Sequence, residues 1–389
     1  MSTIQDVFVI GTGQTAVGEH WGISLRHLAW KAVKQALESS GLERPDAIFV
    51  GNILAPRISQ QHNLGTLLAD FCGFRGVEAI TVEASGASGG AAVRQAMLAL
   101  RSGEIGTALV VGVEKMTDKV GPEVTAALAA GADSDWELVQ GVTAPAMAAL
   151  IMRRYMHDYG VHRDEFADFA LNAHYNAQAN VDAMFRNGLD LKQYVQAGIV
   201  ASPVNIFDGA PDADGAAALV LSSEPGELRP GLSVRVASSS LVTHTLALHD
   251  RRDVLSFEAA RLSAERAFQQ AGITPDQIDL AELYDRFSIY AVLSLEACGF
   301  ARRGEGWRLA RNSGVGRNGQ LPISTFGGLT ARGNPGGATG VYQMVEVTRQ
   351  LAGMAQDNQV AGAKWGLAQC LGSSGATAVT HILDGTNRN

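Results

Sequence analysis

Three thiols, Cys72, Cys298 and Cys370, are the strongest nucleophiles available to this chain of 389 residues. They form no Cys-x-x-Cys pair and no metal-ligand spacing, which argues against a zinc site within the chain. Cys72 and Cys298 sit in apolar contexts (Phe71-Cys72-Gly73 and Ala297-Cys298-Gly299-Phe300) and read as core side chains. Cys370 stands in a glycine turn, Cys370-Leu371-Gly372-Ser373-Ser374-Gly375. Tyr284, in Glu282-Leu283-Tyr284-Asp285, acts as a general acid or base if its ordinary pKa of about 10 is lowered, and is otherwise a buried ring with its hydroxyl tied off. Ser85 and Ser88 flank Gly86 and read as small packing and capping residues rather than nucleophiles. His174, His244 and His249 have no partner that would make them ligands, and read as surface or loop residues. The glycines at Gly11-Thr12-Gly13 and Gly336-Gly337 do not complete a dinucleotide fingerprint with its acidic partner.

These residues need a scaffold, and the chain is long enough for two or three domains. It is 46% hydrophobic, 18% charged and holds 44 glycines, the composition of a well-buried α/β protein with many tight turns. Formal net charge is −8 and no Lys/Arg run exceeds a pair such as Arg302-Arg303, so a nucleic-acid partner is not expected. No apolar run approaches the roughly 18 residues of a membrane span, and Met1 to Val7 lacks a basic, apolar signal segment. With few cysteines and an odd number of them, the chain reads as cytoplasmic.

Val7 to Gly11 predicts a strand ending in a glycine turn, Leu25 to Ser39 a helix, Ala47 to Val50 a second strand and Ala108 to Val113 a third. Continuous apolar runs suit strands buried on both faces. A helix-turn-strand unit is repeated: Ala36 to Leu42 before Pro45-Asp46 and Ala47 to Val50, then Ala267 to Ile273 before Pro275-Asp276 and Ile278 to Leu280. Ser88-Gly89-Gly90 and Ala338-Thr339-Gly340 each open a further helix in the same order, which favours a duplication over chance. Asp118 to Ser202 reads as an insertion on the first half, and the turn from Pro225 to Pro230 as the boundary, giving halves 1–230 and 231–389.

Five segments together resemble the thiolase superfamily, above all its archaeal and lipid-transfer-protein-like branch. Val82 to Gly90 resembles the nucleophile segment, and Asp214-Gly215-Ala216-Ala217-Ala218 the DGAAA strand entry. Glu282 to Phe287 resembles E-x-H-D-x-F, and Gly327 to Gly340 resembles GGL…GHPxGATG. Cys370 to Gly375 resembles the final glycine turn, and the set spans nearly the whole chain in order. The resemblance implies an α/β thiolase fold: two βαβαβαββ halves in five layers, αβαβα, with the insertion as a loop domain holding coenzyme A. It implies a homodimer or tetramer, no cofactor beyond the coenzyme A thioester as substrate, and a small partner with an OB-fold and zinc ribbon in many members.

It also exposes departures. The nucleophile position falls on Gly86, which has no side chain to carry an acyl group. The GHP histidine falls on Asn334, a donor but not a base, and the oxyanion-associated asparagine falls near Ser324. The E-x-H-D histidine falls on Tyr284, as in thiolase-like steroid-acyl-CoA retro-aldolases. Cys370 matches a second catalytic cysteine of many thiolases, and is a candidate base, a relocated nucleophile or a buried inert thiol. The amides of Gly86 and Gly372 match the oxyanion donors, which side-chain loss does not remove. Three readings follow: a carbon–carbon lyase or acyltransferase on CoA thioesters without a cysteine acyl-enzyme, a non-catalytic acyl-CoA-binding or assembly subunit, and a thiolase using Cys370.

Overall fold

Strand β1 (Phe8–Gln14) is apolar at successive positions because both of its faces are covered. Val9 packs into a layer with Val93 and Met344, whereas Phe8 and Ile10 pack into another with Leu28 and Val33. Successive strand side chains point to opposite faces, so such a run is satisfied only between two helical layers. The computed structural model describes residues 5–225 and 232–386.

Among the described residues the main sheet has nine strands. In spatial order they are β3 (Glu78–Val82), β2 (Ala47–Gly51), β4 (Thr107–Glu114), β7 (Gly215–Ser222), β1, β8 (Val234–Thr243), β11 (Thr377–Asp384), β10 (Trp365–Gly372) and β9 (Leu280–Glu282). A separate small hairpin joins β5 (Ile199–Ala201) and β6 (Val204–Asn205). Outward from β1, β7 is antiparallel to both neighbours and β2 is parallel to β4 and β3. Outward from β8, β11 is antiparallel to both neighbours and β9 is parallel to β10. The same order and direction thus occur twice, meeting at a seam where Phe8 pairs with Arg235 and Val9 with Val234. The second counterpart of β3 is reduced to one bridge between Ala281 and Ile323.

Helices α1 (Leu25–Ser40) and α2 (Leu64–Phe71) cover one outer face, and α8 (Glu258–Ala271) and α9 (Ser288–Ala297) the other. Between the two half-sheets lie α3 (Ser88–Ser102) and α11 (Thr339–Leu351), which share one core with Val9 and Val110 of the first half and Leu280 and Leu383 of the second. The layers are therefore α, β, α, β, α. The two glycine-opened helices that the sequence pairs as duplicates are packed against each other. A Cβ on Gly89 would lie 2.7 Å from the Gly337 carbonyl oxygen, so the helix starts meet backbone to backbone.

The insertion between β4 and β7 carries α4 (Gly121–Ala129), α5 (Ala144–Tyr159), α6 (Ala167–Ala177), α7 (Leu191–Gln196) and the small hairpin. Its root is pinned by Asp214, which accepts from Lys115 Nζ at 2.9 Å, Met116 N at 2.6 Å and Thr117 N at 3.0 Å. The short helix α10 (Gly328–Arg332) precedes α11. Ala108–Val113 proves to be the fourth strand, not the third, because β3 intervenes as an edge whose residues are mostly exposed and give no apolar run. The expected boundary at Pro230 lies outside the described residues. Among the described residues no helix is long and apolar enough to cross a membrane. No group of three or more potential metal ligands occurs among them.

Candidate active site

Gly86 stands in the turn between β3 and α3. Ser85 before it is left-handed, with φ +52°, a conformation that non-glycine residues hold only when their surroundings impose it. Here Glu83 Oε1 accepts from Ser85 N at 2.6 Å, and Ser88 Oγ donates to Ser85 O at 2.6 Å while accepting from Ala84 N at 2.9 Å. The Ser88 hydroxyl is spent inside the turn. Ser85 faces a small chamber instead.

Across from Gly86, after β9, stands Tyr284. A Cβ built on Gly86 would lie 2.5 Å from the Leu371 carbonyl oxygen and 2.7 Å from Tyr284 Cζ, and closer still to the Tyr284 hydroxyl. The phenol thus fills the space that a side chain at residue 86 would take. Its own position is fixed by the acidic residues on either side. Glu282 Oε1 accepts from Thr325 N at 2.8 Å and from Thr325 Oγ1 at 2.6 Å. Asp285 accepts from Leu329 N, at the start of α10, at 2.7 Å and from Ser324 Oγ at 2.9 Å.

The chamber between them is about 50 Å³, lined among others by Ser85, Tyr284, Arg286, Tyr290, Leu371 and Ser374. It shares Leu128, Thr143, Ala144, Arg286 and Phe287 with a cavity of about 780 Å³, walled mainly by the insertion and by residues 200–212. Ser373 and Ser374, with φ of +49° and +54°, form the far wall. Their carbonyls accept from Arg251, and the Ser374 and Tyr290 hydroxyls lie 2.9 Å apart.

Burial pushes Tyr284 up to about 12, with the nearby Arg286 charge opposing the rise. The phenol is therefore protonated at neutral pH, and the lowered pKa that was one of the two alternatives left open by the sequence does not occur. Arg286 is the arginine on the wall of both cavities. Burial works against its charge, and Asp212 and Tyr284 more than offset this. Asp212 Oδ1 accepts from Arg286 Nη2 at 3.2 Å and from Asn334 Nδ2 at 3.0 Å. Asn334 is fully buried and takes a 3.3 Å bond from Thr339 Oγ1 on its other end, so its amide positions Asp212. Asn334, Asp212 and Arg286 are thus joined by hydrogen bonds, and Arg286 shares the chamber wall with Tyr284.

The other residues singled out from sequence fall around this group. Gly372 packs against the Ala84–Ser85 turn, with its would-be Cβ 3.4 Å from Ser85 Cβ, so the loops carrying Gly86 and Gly372 touch. Ser324 spends its hydroxyl on Asp285 and lines neither cavity. Cys370 lines neither as well. Its Sγ lies 3.8 Å from Ala87 O and against Gly90, where a methyl group would overlap it, and burial pushes the thiol up to about 12. Cys298 is buried as expected, whereas Cys72 is only half-buried. His174 is not a surface residue: it is buried on the wall of the larger cavity, stacked on Phe185, and burial lowers its pKa. His244 and His249 line outer grooves. Sequence reasoning missed Arg286 and Asp212. Arg286 lies inside the quoted Glu282 to Phe287 segment, but nothing local marks a cation as cavity-facing.

Residues 7–197 match the family model described as thiolase, N-terminal domain, and residues 240–385 the one described as thiolase C-terminal domain-like. Over 383 residues the chain is 40% identical to a Methanothermobacter thermautotrophicus protein named acetyl-CoA acetyltransferase, covering 98% of this chain and 100% of that protein. It is 27% identical over 366 residues to the benzoylsuccinyl-CoA thiolase subunit BbsB of Thauera aromatica, covering 92% of each. A solved structure described as an Ltp2-ChsH2(DUF35) aldolase superposes with a TM-score of 0.84 over 99% of this chain and 100% of that one, at 23% identity, a likeness of fold.

Proposed function

Since this chain belongs to the thiolase superfamily, we propose that it is an enzyme of coenzyme A thioesters that makes or breaks a carbon–carbon bond of the aldol type without a cysteine acyl-enzyme. The observation that carries this reading is the Tyr284 hydroxyl standing where a side chain at residue 86 would stand. A proton carrier has replaced the nucleophile, not merely survived it.

In the cleavage direction the substrate is a β-hydroxyacyl-CoA. Tyr284, as phenolate, takes the β-hydroxyl proton, and the O–H pair becomes the new C=O bond. The Cα–Cβ bond breaks and its electrons form the thioester enolate, which is protonated by solvent. The products are an aldehyde or ketone and a shorter acyl-CoA. Arg286 stabilises the phenolate, and the amides of Gly86 and Gly372 receive the enolate oxygen; one such donor contributes roughly 3 kcal/mol in other enzymes. Coenzyme A is substrate here, not a resident cofactor, and its arm takes the 780 Å³ cavity. A partner chain belongs to this reading, as the aldolase neighbour's description pairs it with ChsH2(DUF35).

A second reading, acyl transfer through Cys370, draws on the name of the 40%-identical relative. Against it stand a buried Sγ, a thiol pushed up to about 12, and no place on either cavity wall. The test offers β-hydroxyacyl-CoA to the protein, with and without a partner, and follows acyl-CoA release. Tyr284→Phe should lower the rate at least about 100-fold. Mass spectrometry after acetyl-CoA should find residue 86 and Cys370 unmodified. A thioester on Cys370, or thiolysis abolished by Cys370→Ala, sinks the lyase mechanism. Tight CoA binding with no turnover of either substrate class points to a binding or assembly subunit.

A further inference from the structure

The chamber has a second wall. Glu137, Val142 and Met147, none of which lines the large cavity, line both the chamber and an outer groove of about 350 Å³. The separation is one layer of side chains. The groove is mostly apolar, with Trp136, Leu150, Ile151, Leu248 and Val254 on its walls beside Arg154 and His249. Trp136 and Leu150 are 67% and 57% exposed, a high exposure for large apolar side chains this close to a reactive phenol. Glu137 is a fixed post in the wall. Its Oε1 accepts from Leu248 N at 2.6 Å and its Oε2 from Asp133 N at 3.0 Å, so it holds both sides of the groove together. Met147, unbranched and adaptable, is the part of the wall able to move.

Volume decides what this groove is for. A chamber of about 50 Å³ holds little more than the reacting carbons, given roughly 30 Å³ per water in the liquid. The thioester arm leaves through the large cavity. Whatever the β-carbon carries must leave another way or be very small. We propose that the outer groove is the subsite for the substituent on the β-carbon, so that the substrate threads from the large cavity through the chamber into the groove. The preferred substrates are then β-hydroxyacyl thioesters whose β-carbon bears a bulky apolar group of about a dozen non-hydrogen atoms, the number that about 350 Å³ takes at roughly 30 Å³ each. The carbonyl product departs through the groove while the acyl-CoA departs through the cavity. This assignment rests on the lyase reading for what is cut, but its test does not.

Binding is measured by calorimetry with CoA thioethers, which lack the carbonyl and cannot react: S-ethyl-CoA and S-(3-cyclohexyl-3-hydroxypropyl)-CoA. The wild type should bind the cyclohexyl probe at least about tenfold tighter, the effect of burying roughly two methylene groups. Leu150→Asp, at an exposed groove position, should remove that gain and leave S-ethyl-CoA binding unchanged; Trp136→Asp, on the same groove and off the chamber wall, should do the same. Equal binding of both probes by the wild type overturns the proposal. So does a gain that survives both groove variants but is lost in Phe185→Asp, which alters the large cavity instead. If the binding preference holds and no thioester is cleaved, the lyase reading fails and the subsite stands.

Discussion

Gly86→Ala is the smallest change that asks whether residues 86 and 284 exclude each other. The added methyl carbon would sit 2.5 Å from the Leu371 carbonyl oxygen and 2.7 Å from Tyr284 Cζ. Ordinary contact begins at 3.4 Å, so the ring must retreat by at least 3.4 − 2.7 = 0.7 Å at Cζ, and its hydroxyl further. Tyr284 is only 4% exposed and is flanked by two anchored carboxylates, so it has little room to retreat. Overpacking of this kind costs about 1–3 kcal/mol. Misplacing a catalytic group by ~1 Å costs on the order of 100-fold in rate. Gly86→Ala should therefore lower lyase kcat/KM about 100-fold with coenzyme A binding retained. In a urea-denaturation cycle with Tyr284→Ala, the methyl should cost at least about 1 kcal/mol less once the ring is gone, because contacting residues couple. The Leu371 carbonyl accounts for the cost that remains. Strict additivity, or a fully active Gly86→Ala, would refute the argument that the lost nucleophile and the gained phenol are one change.

The pH profile follows from Tyr284, pushed up to about 12 in the free enzyme. An acid with a raised pKa is ionised only in a small fraction near neutrality, so kcat/KM for cleavage should rise close to tenfold per unit from pH 7 to 10 without levelling. A plateau beginning near pH 7 would show that another group is the base. Cys370→Ala should leave lyase activity within about threefold and chiefly lower stability, by roughly 1–2 kcal/mol for a buried sulfur in a tight site. Iodoacetamide should not label Cys370 in the folded protein at pH 7.5, because a thiol pushed up to about 12 is almost wholly protonated. Edge strand β3 leaves Ile80 40% exposed, the kind of edge that pairs with another chain. Light scattering should give at least twice 40.9 kDa, and Ile80→Lys should shift the protein toward the monomer.

The five motifs, read in order as a family resemblance, were sufficient for the fold, and at Gly89, Gly337 and Gly372 they mark places where backbone meets backbone. Gly41 and Gly272, closing α1 and α8 with φ of 72° and 71°, needed no tertiary context to be recognised as helix ends. Gly86 needed none either, because the absence of a side chain is a fact of the sequence. β3 was illegible for the converse reason: an edge strand buries too little to carry an apolar pattern. The site was only half legible. A sequence shows that Tyr284 and Cys370 could do chemistry, but the protonation state of a phenol or thiol depends on what surrounds it, and burial raised both. Arg286 and Asp212 lie 74 residues apart, and only folding brings their charges to 3.2 Å. Whether Ser85 or Ser88 faces the chamber was decided by one left-handed residue and two short hydrogen bonds. Residue type sets what a group can do; the dielectric around it and the partner across from it, both made by distant parts of the chain, set what it does.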